Sequence, residues 1–129
     1  MNHWLICLPR EDMEHCIKIG TFGLGRKNYI GNVKSDDKVI CCAGKGDWRV
    51  IASGEATSDY YLDVQPVFLK DGIFPDRFRF QAQKLTTEKD IIQVLDQLSF
   101  ITNIAYWAVY FRNGIVKISP DDWSLLTAG

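Results

Sequence analysis

The chain has 129 residues, of which 47% are hydrophobic, and its formal net charge is −1. This length and composition predict a single folded domain over residues 1–129 and exclude an intrinsically disordered chain. A net charge close to zero excludes a protein that coats nucleic acid through bulk electrostatics, although a local basic patch is compatible with it.

The first half of the chain alternates short apolar runs with turn-forming residues. HWLICL predicts a buried strand that Pro9 ends, and REDMEHCIKI predicts a helix with acidic residues in its first turn and a stop at Gly20. The next segment, Thr21–Gly31 (TFGLGRKNYIG), combines glycines, two adjacent cations and two aromatic residues, and we interpret it as a loop. KVICCA and WRVIASGEA follow as two strands joined by the turn KGD, which predicts a hairpin.

The second half is predicted to contain extended segments, one longer helix and a closing strand pair. YYLDVQPVFL is extended, with a bend at Pro66. DRFRFQAQKL alternates apolar and polar residues, which is typical of a half-buried strand. The apolar spacing of TTEKDIIQVLDQL predicts a helix over 86–98. AYWAVYF and IVKIS flank the turn residues Asn113 and Gly114 and predict a hairpin, and PDDWSLL predicts a short final helix.

Five or six strands therefore outnumber three short helices. Hairpins join most of the strands, whereas a doubly wound parallel sheet needs a helical crossover after each strand. The order predicts an α+β fold with a curved mixed or antiparallel sheet, either open or closed into a barrel.

The four cysteines, Cys7, Cys16, Cys41 and Cys42, are predicted to be reduced and mostly buried. Adjacent residues of a strand point to opposite faces, so Cys41 and Cys42 cannot readily bond to each other or share a metal. No cysteine or histidine spacing fits a zinc site. No apolar run is long enough to span a bilayer, and the N-terminus lacks the features of a secretory signal. We expect a cytoplasmic protein with no metal, no cofactor and no membrane partner.

Common phosphate-binding and catalytic motifs do not fit the sequence. A P-loop would need Lys followed by Ser or Thr after Gly25, where Arg26 and Lys27 stand, and a dinucleotide-binding motif would need glycine in place of Asn28. There are only two histidines, and neither has a convincing catalytic partner nearby in the sequence. We therefore do not expect an enzyme, although active sites assemble in space and an enzyme stays an alternative.

The glycine-rich segment is well suited to binding a flat base. Aromatic faces beside small glycines can sandwich a base, at roughly 1–3 kcal/mol per stacked base. The aromatic residues outside clear core patterns are Phe22, Tyr29, Trp48, Tyr60 and Tyr61, and the nearby cations that could hold phosphates are Arg26, Lys27, Lys34, Lys45 and Arg49. The residues alone leave open the alternative that Phe22 fills the core and that the cations are merely solvated.

Four segments together resemble EVE domains, nearly end to end and in order. They are NHWLICLPRED, GTFGLGRKNYIGNVKSDDKVICC, VIASGEATSDYYLD and YWAVYFRNGIVKISPDDWSLL. The EVE family belongs with YTH and ASCH domains in the PUA-like superfamily. The resemblance implies a small curved barrel of five to six strands flanked by about three short helices. It also implies binding of DNA or RNA that carries a modified base, which is flipped into an aromatic cage.

The resemblance assigns roles to individual residues. Phe22 stands where the family often has a cage tryptophan, and Gly23 and Leu24 match the Gly-Val pair whose backbone lines the pocket. Asn28 matches the loop asparagine, and Tyr61 or Tyr60 falls at the second aromatic wall. The expected base-binding residues are Phe22, Gly23, Leu24, Asn28, Tyr61, Tyr60 and Trp48, and the expected backbone-binding residues are Arg26, Lys27, Lys45, Arg49, Arg77 and Arg79. Phenylalanine in place of the larger indole reduces the stacking face.

The sequence thus predicts a non-enzymatic module that reads a modified, methylated base in DNA or RNA. Two alternatives stay open: a PUA-type RNA-binding module without preference for a modified base, and an ASCH-like small-molecule enzyme that needs an ionisable pair, such as a lysine with a carboxylate, in its pocket. Related modules also serve as N-terminal recognition domains of McrBC-type restriction proteins. An attached effector domain, such as a GTPase or a nuclease, is therefore compatible with the resemblance.

Overall fold

The computed structural model describes residues 1–128 and contains one curled mixed sheet with short helices around it. The strands are β1 (His3–Leu8), β2 (Thr21–Leu24), β3 (Lys38–Ala43), β4 (Arg49–Ala56), β5 (Tyr61–Leu62), β6 (Asp76–Asp90) and β7 (Ile115–Ile118). The α-helices are α1 (Arg10–Ile19) and α2 (Pro120–Thr127), and 3₁₀ helices span Tyr29–Asn32, Ile92–Gln97 and Ile104–Phe111. No helix among residues 1–128 is both long and apolar enough to cross a membrane.

The strand order is β2-β6-β4-β3-β1-β7, and β5 also pairs with β6. β1 and β3 run parallel, and the other neighbouring strands are antiparallel. The long strand β6 connects two parts of the sheet, because its first residues pair with β2 and β5 and its remainder pairs with β4. The result is a curled half-barrel, which confirms the predicted α+β fold of PUA-like type.

Two hydrophobic cores occupy opposite faces of the sheet. The first contains Trp4, Met13 and Phe22 and lies under α1, whereas the second contains Leu5 and Phe111 and lies under the later 3₁₀ helices and α2. Because side chains point to alternate faces along β1 and β3, successive residues of each strand enter the two cores in turn.

The cysteines follow the same alternation. Cys41 belongs to the first core and Cys42 to the second, so the prediction that they face opposite ways is confirmed. All four cysteines are free and buried, as expected.

The predicted helix over 86–98 is wrong in its first half. β6 continues to Asp90, where Lys89 pairs with Val50 of β4, and only a 3₁₀ helix, Ile92–Gln97, follows. Thr86 and Thr87 are β-branched and favour the extended state, and the available edge of β4 pairs with the segment that follows them.

The predicted strand AYWAVYF is also wrong, because a 3₁₀ helix spans Ile104–Phe111. The side chain of Asn103 accepts a hydrogen bond from the amide of Ala105 and starts the turn. Trp107 and Phe111, four residues apart, then pack together on one face, with ring centroids 6.2 Å apart. The turn at Gly114, where φ is +78°, directs β7 onto β1 instead of into a hairpin.

Candidate base-binding site

Phe22 lies in β2, and its ring is completely buried. It stands opposite Phe78 of β6, with the two ring centroids 5.7 Å apart in the first core. This burial contradicts the prediction that Phe22 offers a stacking face to a base. The reason is that the segment pairs with β6 as a strand, so that its alternation turns Phe22 inward.

A cavity of about 240 Å³ lies beside the end of β2. Gly23, Leu24 and Gly25 form one side of it, and Phe68 and Phe74, from the loop between β5 and β6 (residues 63–75), supply aromatic rings. The two ring centroids are 5.9 Å apart, and the ring planes are nearly perpendicular, at 85°. We call this space the base cavity. Its lining is mainly apolar, which suits a flat heterocycle.

Gly23 allows the aromatic loop to approach β2. A Cβ atom at this position would lie 2.7 Å from the ring of Phe68 and 2.9 Å from the carbonyl oxygen of Phe74. Such distances are too short for a side chain, so glycine is required here for close packing. The structure therefore places Gly23 and Leu24 in the wall of this cavity.

Arg77 is buried and holds the loop 63–75 in place. Its Nε donates to the carbonyl oxygen of Phe74 at 3.0 Å, and its Nη2 donates to the carbonyls of Ile73, at 2.7 Å, and Gln65. Its guanidinium lies 5.0 Å from the ring centroid of Phe68 and 3.7 Å from a carboxylate oxygen of Asp63. The side chain is fixed in the interior of the loop.

This burial contradicts the prediction that Arg77 contacts a nucleic-acid backbone. Arg77 pairs with both Gly23 of β2 and Tyr61 of β5, and the loop covers the face on which its side chain lies. Arg79, two residues further along β6, is exposed.

A charged pair stands at the edge of the base cavity. Asp12 of α1 and Lys70 of the loop both line the cavity, and their charged atoms are 3.8 Å apart. Cys16 also lines it, and burial, followed by the negative charge of Asp12, raises the pKa of this thiol to about 12. Cys16 is therefore protonated and uncharged at neutral pH. Asp12 is the carboxylate that could accept a hydrogen bond from a bound base.

A groove of about 330 Å³ opens next to the base cavity and shares residues with it. It is lined by Leu24, Gly25, Arg26, Asn28, Arg112 and Asn113, and we call it the arginine groove. The Nδ2 of Asn28 donates to the carbonyl oxygen of Asn113 at 3.2 Å, while its Oδ1 accepts from the amide of Ile30 at 3.0 Å. Asn28 thus ties the glycine-rich segment to the turn before β7.

Tyr60, Tyr61 and Trp48 do not line the base cavity. The hydroxyl of Tyr60 donates to Asp76, which raises the pKa of this tyrosine, and the ammonium of Lys27 lies 5.2 Å from its ring centroid. Trp48 packs on Trp107 in the second core, with ring centroids 4.8 Å apart. The structure therefore brings Gly23, Leu24, Arg26 and Asn28 together. The remaining predicted residues lie outside both spaces: Phe22, Lys27, Lys45, Trp48, Arg49, Tyr60, Tyr61, Arg77 and Arg79.

The sequence reasoning missed the residues that form most of the cavity. Phe68, Phe74, Asp12 and Arg112 were not singled out. Two phenylalanines in a long segment with Pro66 and Gly72, outside any alternating pattern, were an available signal for a functional loop. Among residues 1–128 no group of three or more His, Cys, Asp or Glu residues could hold a metal ion.

The fold is shared with solved structures of low sequence identity. Human THYN1, solved in complex with DNA containing 5-methylcytosine, is 11% identical with a TM-score of 0.65, covering 99% of this chain and 96% of that one. The Mmi1 YTH domain is 15% identical with a TM-score of 0.67, covering 98% and 92%. Protein Atu2648 from Agrobacterium tumefaciens is 13% identical with a TM-score of 0.69, covering 98% and 91%.

No protein-family model and no curated protein matches the chain. The structural likenesses agree with the fold that the sequence resemblance implies. Identities of this size establish a common fold, whereas function has to be argued from the site.

Proposed function

We propose that the chain is a nucleic-acid-binding module of EVE type that takes a methylated base, turned out of its strand, into the base cavity. The observation that carries this proposal is the apolar cavity of about 240 Å³ with the rings of Phe68 and Phe74 in its wall and cations at its edge. It is supported by the fold shared with human THYN1, whose structure contains DNA with 5-methylcytosine. A link to a McrBC-type effector domain is part of the same proposal.

The cavity walls favour a methylated base over the unmodified one. A methyl group that leaves water and packs against Leu24, Phe68 and Phe74 gains about 0.8 kcal/mol from burial. Contact with an aromatic ring adds to this gain. Burial of the methyl group alone therefore predicts a several-fold higher affinity for the methylated base than for the unmodified one.

The carboxylate of Asp12 favours bases with an exocyclic amino group. Ionised carboxylates only accept hydrogen bonds, and adenine, cytosine and guanine each offer an amino N–H on the Watson–Crick edge. Uracil and thymine have carbonyl oxygens at the corresponding positions. We therefore expect modified adenine or cytosine to bind better than modified uracil.

Cations around the opening would hold the phosphates on either side of the extruded nucleotide. Arg26 and Arg112 are exposed at the arginine groove, and Lys70 is exposed at the other edge of the cavity. This is a local basic patch on a chain whose net charge is −1. Extruding a base from a duplex costs a few kcal/mol, so single-stranded targets should bind more tightly than duplexes.

The test is a fluorescence-anisotropy titration with single-stranded RNA and DNA oligonucleotides of one sequence. Each carries a single central base that is unmodified, N6-methyladenine, 5-methylcytosine or 5-hydroxymethylcytosine. One methylated oligonucleotide should bind several-fold more tightly than its unmodified counterpart. Equal and negligible binding of all oligonucleotides contradicts the proposal.

Matched variants connect binding to the cavity. Phe68→Ala should weaken binding by about tenfold or more through the lost ring contact, and Phe68→Leu, which keeps the apolar volume, should lose stacking while preserving the fold. Tyr61→Ala, which removes a ring outside the cavity, is the control and should bind like the unchanged protein. Circular dichroism verifies that each variant is folded.

The Asp12–Lys70 pair favours a second candidate, the ASCH-like enzyme, because it is a lysine with a carboxylate in a pocket. Lys70→Met separates the two functions. An enzyme that uses this lysine should lose turnover almost completely. A base reader should lose only one peripheral phosphate contact and a small part of its affinity.

A further inference from the structure

A third and larger space, of about 680 Å³, lies between the 3₁₀ helix Tyr29–Asn32 and β7. The residues that matter for its chemistry are Tyr29, Asn32, Phe100, Tyr110, Asn113 and Lys117, and we call it the tyrosine groove. None of the functions considered above uses it. The tyrosine groove is nevertheless connected to the base cavity, and like that cavity it is lined by aromatic rings and a cation.

The three spaces are connected through shared residues. Leu24, Gly25, Arg112 and Asn113 line both the base cavity and the arginine groove, and Asn113 also lines the tyrosine groove. A strand whose base occupies the cavity can therefore pass over Arg26 and Arg112 and continue directly into the tyrosine groove.

The tyrosine groove presents rings that are available for stacking. The side chain of Tyr29 is 57% exposed. The hydroxyl of Tyr110 lies 2.9 Å from the hydroxyl of Thr102 and accepts a hydrogen bond from the amide of Asn103 at 3.0 Å, so this ring is fixed. Exposed and fixed aromatic rings are the groups on which bases of single-stranded nucleic acids stack.

The charge of the two grooves fits a phosphate backbone. Their linings contain the cations Arg26, Arg112 and Lys117, together with asparagine amides that can bind base edges, and within residues 1–128 neither lining includes an acidic residue. The carboxylate of Asp37, which lies against Trp4, is occupied by hydrogen bonds from Trp4 Nε1 and from the amides of Asn2 and Lys34. This buried carboxylate therefore has its hydrogen-bonding capacity occupied within the protein.

We infer that the tyrosine groove is a second nucleotide-binding subsite, which holds the neighbours of the extruded base on a single strand. Tyr29 stacks on a base, and Lys117 binds a phosphate. This inference deepens the proposed function, because it places the extruded base in the adjacent cavity, but the groove has its own rings and cations. The subsite makes single-stranded nucleic acid, with several nucleotides on one side of the modified base, the preferred ligand.

The experiment measures affinity against the position of flanking nucleotides. The ligands are the methylated nucleoside monophosphate and oligonucleotides with the methylated base at the 5′ end, at the 3′ end or in the middle. Flanks on one side should raise affinity by about tenfold or more, as stacking of one base allows, and flanks on the other side should add little. Equal gains from both sides would contradict a single directed path.

Variants of exposed residues connect this gain to the groove. Tyr29→Ala and Lys117→Gln should remove most of the gain from the flanks and leave binding of the monophosphate unchanged, and Lys117→Gln should lower the salt slope by about one. Tyr29→Phe should keep the gain, and Lys45→Gln, in the turn between β3 and β4, is the charge control. If both Tyr29→Ala and Lys117→Gln bind the long strand as tightly as the unchanged protein does, the inference is overturned.

The same data separate this inference from the proposed function. If methylation has no effect but Tyr29→Ala still weakens binding of an unmodified strand, the groove is confirmed and the base reading fails. If methylation strengthens binding but the groove variants have no effect, the base cavity is supported and the subsite is wrong.

Discussion

The glycine-rich segment and the loop between β5 and β6 meet at the base cavity, but they contribute different chemistry. The segment, residues 21–31, supplies glycine backbone, the exposed cation Arg26 and the polar side chain of Asn28. The loop, residues 63–75, supplies the rings of Phe68 and Phe74. The loop therefore supplies the aromatic rings, although its sequence drew less attention, whereas the glycine-rich segment provides space and charge.

The two regions are also held in place by different interactions. The loop is organised around one buried guanidinium, that of Arg77. The end of the glycine-rich segment is followed by a turn whose backbone is tied to the carboxylate of Asp37, which also binds Trp4. Substitutions of single residues should consequently affect the two regions to different extents.

Arg77→Met should have the largest effect on both stability and binding. It leaves the carbonyls of Gln65, Ile73 and Phe74 without their donor and should lower the free energy of unfolding by about 2–3 kcal/mol. Base binding should weaken as well, because Phe68 loses its support. Arg79→Met, at an exposed position two residues further along the same strand, is the control in urea denaturation. Equal midpoints for the two variants would show that Arg77 does not anchor the loop.

Gly23→Ala should displace the loop without removing any of its hydrogen-bond donors. The added methyl group would lie 2.7 Å from the ring of Phe68, so the loop must shift at a cost of about 1–3 kcal/mol. Gly25→Ala is the matched control, since its Cβ would meet its nearest neighbour, the ring of Phe74, at an ordinary 3.8 Å. Thermal denaturation distinguishes them, and a neutral Gly23→Ala would mean that the rings are not packed against β2.

Asp37→Asn should destabilise the other region by about 1–2 kcal/mol. Burial alone would raise the pKa of Asp37, but hydrogen bonds from Trp4 and from the amides of Asn2 and Lys34 outweigh it and hold the pKa below its usual value. A lowered folded-state pKa means that this stabilisation is present above about pH 4 and is lost as pH falls through the folded-state value.

The pH dependence of stability checks this assignment. The unchanged protein should lose stability on acidification below about pH 4, and Asp37→Asn should reduce that loss. Asp122, whose pKa is also lowered but which caps α2 beneath the second core, continues to titrate in the variant. An unchanged acid profile in Asp37→Asn would contradict a charged Asp37.

Lys27→Met should have the smallest effect. The ammonium of Lys27 lies over the ring of Tyr60 near the surface, and such contacts contribute about 0.5–1 kcal/mol. Stability should fall by no more than this amount, as measured by urea denaturation, and Lys34→Met is the exposed control. A loss of stability as large as that of Arg77→Met would contradict the account that the two regions are held in place by different interactions.

The sequence was sufficient where local signals determine the structure. Gly20 ends α1 in the left-handed conformation, and Ser119 and Asp122 form a capping box at α2, which begins at Pro120 as predicted. β3 and β4 form the hairpin that the KGD turn indicates. These features depend on residues that are close together in the chain, so patterns of sequence reveal them.

The sequence was insufficient where distant pairing determines the outcome. Phe22 and Arg77 were predicted to be available to a ligand, yet β2 and β5 both pair with β6, and both side chains are buried. Residues 86–90 precede an apolar run with helical spacing, 91–98, but the pairing of Lys89 and Asp90 with β4 makes them part of a strand. Phe68 and Phe74 meet the cavity only because Arg77 folds the loop back, which no local pattern shows.

The central claim is that a methylated base enters the cavity between β2 and the loop 63–75. The most direct measurement is an NMR titration of the isotope-labelled protein with methylated and unmodified nucleoside monophosphates. The methylated compound should perturb the amides of Gly23, Leu24 and residues 68–74 more strongly, with Asp12 among them. No perturbation there, or shifts confined to Tyr60, Tyr61 and Trp48, would contradict the account.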